Sequence, residues 1–197
     1  MSGREQAKLY YLYMMSDGEV SEKEENLFKE ICRSLELDVD DIKKVKAECM
    51  EIRDGEKLSC IDVVTKDIET SYEMSGILNI GLNGYISGKD KARILWNLIN
   101  LGYADSQYTI DEREVVDFLR EHWKIPEVLY QEMIDVAETC LALEKHRSWI
   151  EELPDSNYKL EKRKAVKKNI KHVQEMVLTA ISETKIKNNT FLDMLFE

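Results

Sequence analysis

Two prolines and eight glycines are all that punctuate this chain of 197 residues. Strand-and-turn folds need such breakers at close intervals, so their scarcity favours long helices. A CxxC pair is also missing. Cys32, Cys49, Cys60 and Cys140 are separated by 17, 11 and 80 residues, which leaves no zinc-finger or thioredoxin-like spacing. Most of the four fall at apolar positions of helical patterns, where a free Cys acts as a small hydrophobe. The reading is reduced thiols in a cytoplasmic compartment. No apolar run approaches membrane-spanning length. "LYYLYMM" at 9–15 runs straight into "SDGE", without the small-residue cleavage site of a secretory signal. A peripheral role at a membrane is compatible with these absences.

Catalytic signatures are missing as well. His122, His146 and His172 have no Glu three positions before them, so the ExxH pair of di-iron bundles is lacking, and so is HExxH. Cys140 and His146 stand six apart. Helix neighbours are three and four apart, so this spacing does not pair a nucleophile with a base. The glycine-rich stretch "ILNIGLNGYISGKD" at 77–90 matches neither GxGxxG nor a P-loop and reads as a connector. The expectation is a protein that is not an enzyme.

What the chain does have is charge. Its net charge is −11, with 43% apolar and 34% charged residues, the composition of a globular protein. The charge is uneven. Residues 158–197 hold 9 Lys and Arg against 5 Asp and Glu, a net of +4, which leaves −15 on the rest. An acidic body argues against nucleic-acid binding and suits cations or basic partners.

Helical periodicity runs through the sequence. A first helix at about 5–15 carries Leu9, Leu12 and Tyr13 on one face. After Asp17-Gly18, Ser21 begins a second, with Leu27, Phe28, Ile31 and Leu35 as its stripe. Further helices are expected at about 39–53, 57–75, 91–103, 112–122 and 127–151. An eighth, at about 158–187, steps through Val166, Ile170, Val173, Val177 and Ile181 as one narrow seam. Its segment 159–172 holds seven Lys and Arg against one Glu. This reads either as a solvated face or as a docking site for a partner or an anionic surface. Trp96, Trp123 and Trp149 lie in apolar patterns and are expected in the core. The closing piece "FLDMLF" at 191–196 is expected to cover the bundle end.

The chain also repeats itself. "YMMSDGEVSEKEENLFKEI" at 13–31 resembles "LGYADSQYTIDEREVVDFL" at 101–119. Asp17 matches Asp105, Val20 matches Ile110, Ser21 matches Asp111 and Glu24 matches Glu114, with two extra residues in the second turn. Leu35 and Leu37 then parallel Trp123 and Ile125. Ser21-x-x-Glu24 is a capping box and Asp111-x-x-Glu114 its Asp variant. Ile110 and Val115 are spaced as a hydrophobic staple. An EF-hand is excluded by position. Counted from Asp17, the sixth and twelfth places hold Glu22 and Phe28, and counted from Asp105 they hold Ile110 and Val116. Gly and Glu are required there. Simple capping explains much of the motif. In each copy, though, an Asp in the turn and a Glu in the next helix's first turn could converge on a hard cation.

"MMSDGEVSEKE" and "GYADSQYTIDERE" resemble the ADG-x-x-x-x-x-E signature of TerB-like domains, the tellurite-resistance family. Ser16 stands for the usual Ala in the first copy, and Ser106 for Gly in the second. The likeness covers roughly residues 5–150. It implies an all-helical, non-enzymatic fold linked to tellurite and other stress responses and to membrane-associated or metal-sensing assemblies. It also implies that Asp17, Glu24, Asp105 and Glu114 are the cation ligands. The expected architecture is therefore all-α. Duplicated four-helix units, 5–76 and 91–187, would be joined by 77–90 and packed as one domain over 1–197, with a long C-terminal helix. The expected function is a stress-associated scaffold binding a divalent cation or a protein partner. The alternative is a pure protein-interaction module acting through the basic C-terminal helix without an ion.

Overall fold

The computed structural model describes residues 1–16, 18, 20–56, 59–69, 86–106 and 108–186. Among them the secondary structure is all-helical. The elements are α1 (Gly3–Met14), α2 (Glu22–Ser34), α3 (Val39–Glu56), α4 (Cys60–Glu69), α5 (Gly88–Gly102), α6 (Ile110–His122), α7 (Glu127–Glu151) and α8 (Asn157–Glu183). Most of the glycine-rich connector, the "FLDMLF" piece and the expected part of the fourth helix beyond residue 69 lie outside the described residues.

Local chemistry sets where the helices begin. Ser2, Ser21 and Thr109 open α1, α2 and α6 with complete capping boxes, closed by Glu5, Glu24 and Glu112. Each box satisfies two otherwise orphaned groups and contributes roughly 1 kcal/mol. The side chains of Ser87 and Ser156 cap α5 and α8, whereas Pro126 precedes α7 without a side-chain cap. The second box corrects a sequence expectation: the cap is Thr109 with Glu112, not Asp111 with Glu114. Ile110 is the first residue of α6 and is 77% exposed, so it staples nothing.

Two helices are apolar almost all round, and both are central, as such helices must be. In α1, Leu9 to Met14 are buried without a break, and in α5 so are Ala92, Ile94, Leu95, Trp96, Leu98, Ile99 and Leu101. The amide of Asn97 donates to the Tyr10 hydroxyl at 3.1 Å, linking α5 to α1. Around this pair, α2, α3, α4 and α6 pack on α1, while α2, α6, α7 and α8 pack on α5. Phe28, Ile31 and Cys32 of α2 are buried, as are Val115, Val116 and Leu119 of α6. Cys32, Cys49 and Cys60 are free and buried, and Cys140 is half-buried, so they pack as small apolar groups.

The turn geometry repeats at a constant offset of 88 residues. Gly18 and Ser106 both have positive φ, at 97° and 75°, and so do Glu36 and Lys124, at 61° and 53°. The hydrogen bonds follow the same register. Ser16 N donates to Tyr13 O and Ala104 N to Leu101 O; Leu37 N donates to Cys32 O and Ile125 N to Arg120 O. The two turns are therefore equal in length, and the expected two-residue insertion is absent. Ser21 pairs with Thr109 and Glu24 with Glu112. Beyond these hairpins the likeness fades: α3 has 18 residues and α7 has 25.

The seam expected on α8 holds. Val166, Val177 and Ile181 are buried, and Ile170 and Val173 half-buried. One tryptophan departs from expectation: Trp96 and Trp123 are in the core, but Trp149 is 51% exposed.

Candidate functional site

The two matched turns end on buried carboxylates. In the first, the Ser21 amide donates to Glu24 Oε2 at 2.7 Å, and the Glu24 amide donates to Ser21 Oγ at 3.2 Å. In the second, the amide and hydroxyl of Thr109 both donate to Glu112 Oε2, at 2.8 and 2.9 Å. The Glu112 amide returns a bond to Thr109 Oγ1 at 3.3 Å. Most capping-box glutamates sit at the surface. These are 1% and 3% exposed, because α1 and α5 bring both helix starts against the core. A carboxylate taken out of water is costly unless its oxygens are satisfied.

One buried phenol lies in the electrostatic field of both. Burial pushes the Tyr13 hydroxyl far above its ordinary pKa, and Tyr108, Glu112, Cys60 and Glu24 push it further. Both carboxylates thus lie within electrostatic reach of one side chain. Tyr13 Oη is buried and has no hydrogen-bond partner among the described residues, and neither have Ser16 Oγ and Tyr108 Oη. Gly102 makes the slot for it. A Cβ there would stand 2.5 Å from Tyr13 Oη and 2.6 Å from the Tyr108 ring. Around the rim, the Tyr103 and Tyr108 rings meet at 4.7 Å, and the Arg113 guanidinium covers Tyr108 at 5.2 Å.

The candidate ligands expected from the sequence fare differently. Glu24 is in this centre. Asp105 is half-buried in the second turn, beside Ser106. Glu114 is exposed one turn into α6, and the position equivalent to Glu24 is Glu112. Asp17 lies outside the described residues. Tyr13, Tyr108, Ser16, Gly102 and Glu112 were not singled out as site residues by the sequence. A rigid offset of 88 would have found Glu112, whereas Tyr13 reads as one more apolar position of the first helix. Among the described residues, no three His, Cys, Asp or Glu gather as a metal-holding group. His146 lies against the Trp149 ring at 5.6 Å, and burial pushes the Cys140 thiol up, away from the thiolate that a nucleophile needs. No described helix is long and apolar enough to cross a membrane.

An unpaired buried hydroxyl costs about 1–3 kcal/mol. Tyr13→Phe removes it and keeps the ring. The substitution is therefore expected to raise the unfolding free energy by about 1 kcal/mol, measured by urea denaturation in a chelating buffer. A loss of stability would show that the hydroxyl is held by a bond.

Comparison of the chain with protein-family models, with curated proteins and with solved structures finds no match.

Proposed function

We propose that this chain is a non-enzymatic binding module of the TerB type, acting in a chemical-stress response, whose two acidic turns together take one divalent cation. The observation that carries the reading is the buried centre itself. Two buried capping carboxylates act electrostatically on one phenol whose hydroxyl has no partner among the described residues. Hard cations such as calcium and magnesium take oxygen ligands from carboxylates, hydroxyls and water. Asp17, Glu24, Asp105 and Glu112 are the ligand candidates, with Glu112 taking the place first given to Glu114; Glu24, Asp105 and Glu112 are not clustered by themselves, so water would have to complete the shell. The equal turn lengths support treating the two hairpins as copies of one unit meeting at this centre. The free cysteines support a reducing, cytoplasmic setting.

Calorimetric titration with calcium, magnesium, manganese and zinc tests the reading. At least one is expected to give heat and to raise Tm, since a ligand that binds only the folded state stabilises it. Glu112→Gln and Asp17→Asn are expected to abolish the heat. Gln also closes a capping box, so the Glu112 variant should keep its fold. Glu114→Gln is expected to bind as the parent does. Absence of heat and of thermal shift with all four ions would refute the site. Equal loss in the Glu114 variant would refute its geometry.

The second reading is an interaction module without an ion, acting through the basic C-terminal helix α8. It is favoured by how far α8 extends beyond the main core, and it predicts that truncating 158–197 removes the protein partners.

A further inference from the structure

Between Cys140 on α7 and Val173 on α8, no apolar side chain belongs to the main core or packs on it. Ile150 and Val166 are buried nonetheless. They lie apart from the main core; among the described residues α8 packs chiefly on α7 and less on α5, and just beyond α8 Ile186 stands over Gly88. Residues 141–172 therefore form a two-helix arm. At 1.5 Å per residue, its helical segments reach about 16 Å on α7 and about 24 Å on α8. Charges in solution are screened over about 8 Å, so the end of the arm lies outside the field of the acidic body.

The arm's own charges are mixed at the turn, where Glu152, Asp155 and Glu161 are exposed, and basic farther along. Near the turn, basic groups are already engaged. Lys159 Nζ donates to the carbonyls of Glu151 and Leu153 at 2.8 and 2.9 Å, and Arg163 pairs with Glu151 at 2.7 Å. These contacts fix the hairpin. Farther along, Leu160, Lys164, Lys167, Lys168 and Lys171 recur at helical steps on the face opposite the Val166–Val177 seam, and all are exposed. Lys171 meets Glu175 at 3.6 Å. Lys164, Lys167 and Lys168 have no carboxylate within 4.0 Å among the described residues. Around the tip, Trp149, Tyr158 and Leu160 are 51%, 56% and 49% exposed. Lys162 Nζ lies 5.2 Å from the centre of the Tyr158 ring.

We infer that this arm docks on a membrane surface rich in anionic phospholipid, with Trp149 and Leu160 entering the headgroup layer and Lys164, Lys167 and Lys168 facing the phosphates. Charge complementarity names the occupant, and three observations prefer a membrane to a nucleic acid. The unpaired cations are all lysines, which act as point charges and lack the forked geometry that reads phosphates or bases. They stand on a single convex helix face, whereas single-stranded nucleic acids are held in positive grooves with stacking platforms. Finally, a plane can meet this one face of the arm, but a long polyanion would also meet a body of net −15 outside residues 158–197. An exposed Trp and Leu beside lysines are what the headgroup interface selects.

The test is flotation of the whole protein with vesicles, in chelator so that no cation bridges the acidic body to lipid. Vesicles of phosphatidylcholine are compared with vesicles in which roughly a third is phosphatidylserine, an anionic surface that attracts each nearby Lys. Binding is expected on the anionic vesicles only, weakening as salt rises. Trp96 and Trp123 are buried, so a blue shift of tryptophan emission on binding reports Trp149, and Trp149→Phe should abolish the shift. Each Lys near such a surface contributes about fivefold, so replacing Lys164, Lys167 and Lys168 together by Gln is expected to weaken partition roughly a hundredfold. All three are exposed, so circular dichroism should not change. Equal binding to neutral vesicles, no binding to either kind, an unshifted Trp149 or an unaffected triple variant would each overturn the inference. Tighter binding of single-stranded RNA than of anionic vesicles would overturn it too, and would make the arm a nucleic-acid site.

Discussion

Trp123→Ala is expected to lower the unfolding free energy by about 3–5 kcal/mol, the range for emptying a large buried aromatic site. Trp123 is 1% exposed and heads the fully buried side chains by volume. It sits at the C-cap of α6, just before Lys124 turns the chain with positive φ. Its loss should leave a cavity that the left-handed turn behind it cannot close. In a domain of this size, Tm should fall by about 2–4 °C per kcal/mol. The matched residue in the other hairpin is Leu35, which is only half-buried. Leu35→Ala is therefore expected to cost about 1–2 kcal/mol, in proportion to the apolar surface it hides. Trp123→Phe is informative in a different way. The indole N–H is buried with no acceptor among the described residues, so removing it offsets part of the lost volume. Urea denaturation of the three variants checks the order. A cost under about 1 kcal/mol for Trp123→Ala would mean that the side chain is not core.

The fold class was legible because it depends on periodicity. Scarce Pro and Gly and stripes such as Val166–Ile181 need no knowledge of neighbours. The site was only half legible. Val20-Ser21 and Ile110-Asp111 look alike as a β-branched residue followed by a polar one, and that local likeness suggested an insertion. The backbone settled the register through Ser106, which takes the left-handed conformation of Gly18. Ser is an uncommon choice there, so its letter gave no sign of the turn. Trp149 failed for a related reason. Apolar spacing reports which helix face is apolar, but not whether another element covers it. On the arm, α8 leaves that side of α7 open. Tyr13 hid its polar end inside an apolar pattern, because a phenol satisfies the stripe with its ring.

Gly102→Val is expected to cost about 3 kcal/mol, near the upper end for overpacking a closed core. Even the first added carbon would lie 2.5 Å from Tyr13 Oη and 2.6 Å from the Tyr108 ring. Gly102→Ala meets the same contacts with less bulk. It also regains about 0.5–1 kcal/mol of backbone entropy, so its net loss should be smaller. Of the two obstacles, one is a single oxygen. Tyr13→Phe deletes that oxygen, so Gly102→Ala should cost less in the Tyr13→Phe background than in the parent. A double-mutant cycle should return a coupling of at least about 0.5 kcal/mol. Strict additivity would place the clash on Tyr108 alone. The pairing also bears on symmetry. At the offset of 88, Gly102 corresponds to Met14 and Tyr13 to Leu101, both fully buried apolar residues. The slot therefore exists once, although the turn exists twice. One phenol, admitted by one glycine, lies in the electrostatic field of two carboxylates from two equivalent helix starts. A cation bound there would be shared between the turns, so its stoichiometry in the calorimeter should be one per chain. Two independent sites per chain would be the result for turns that act separately.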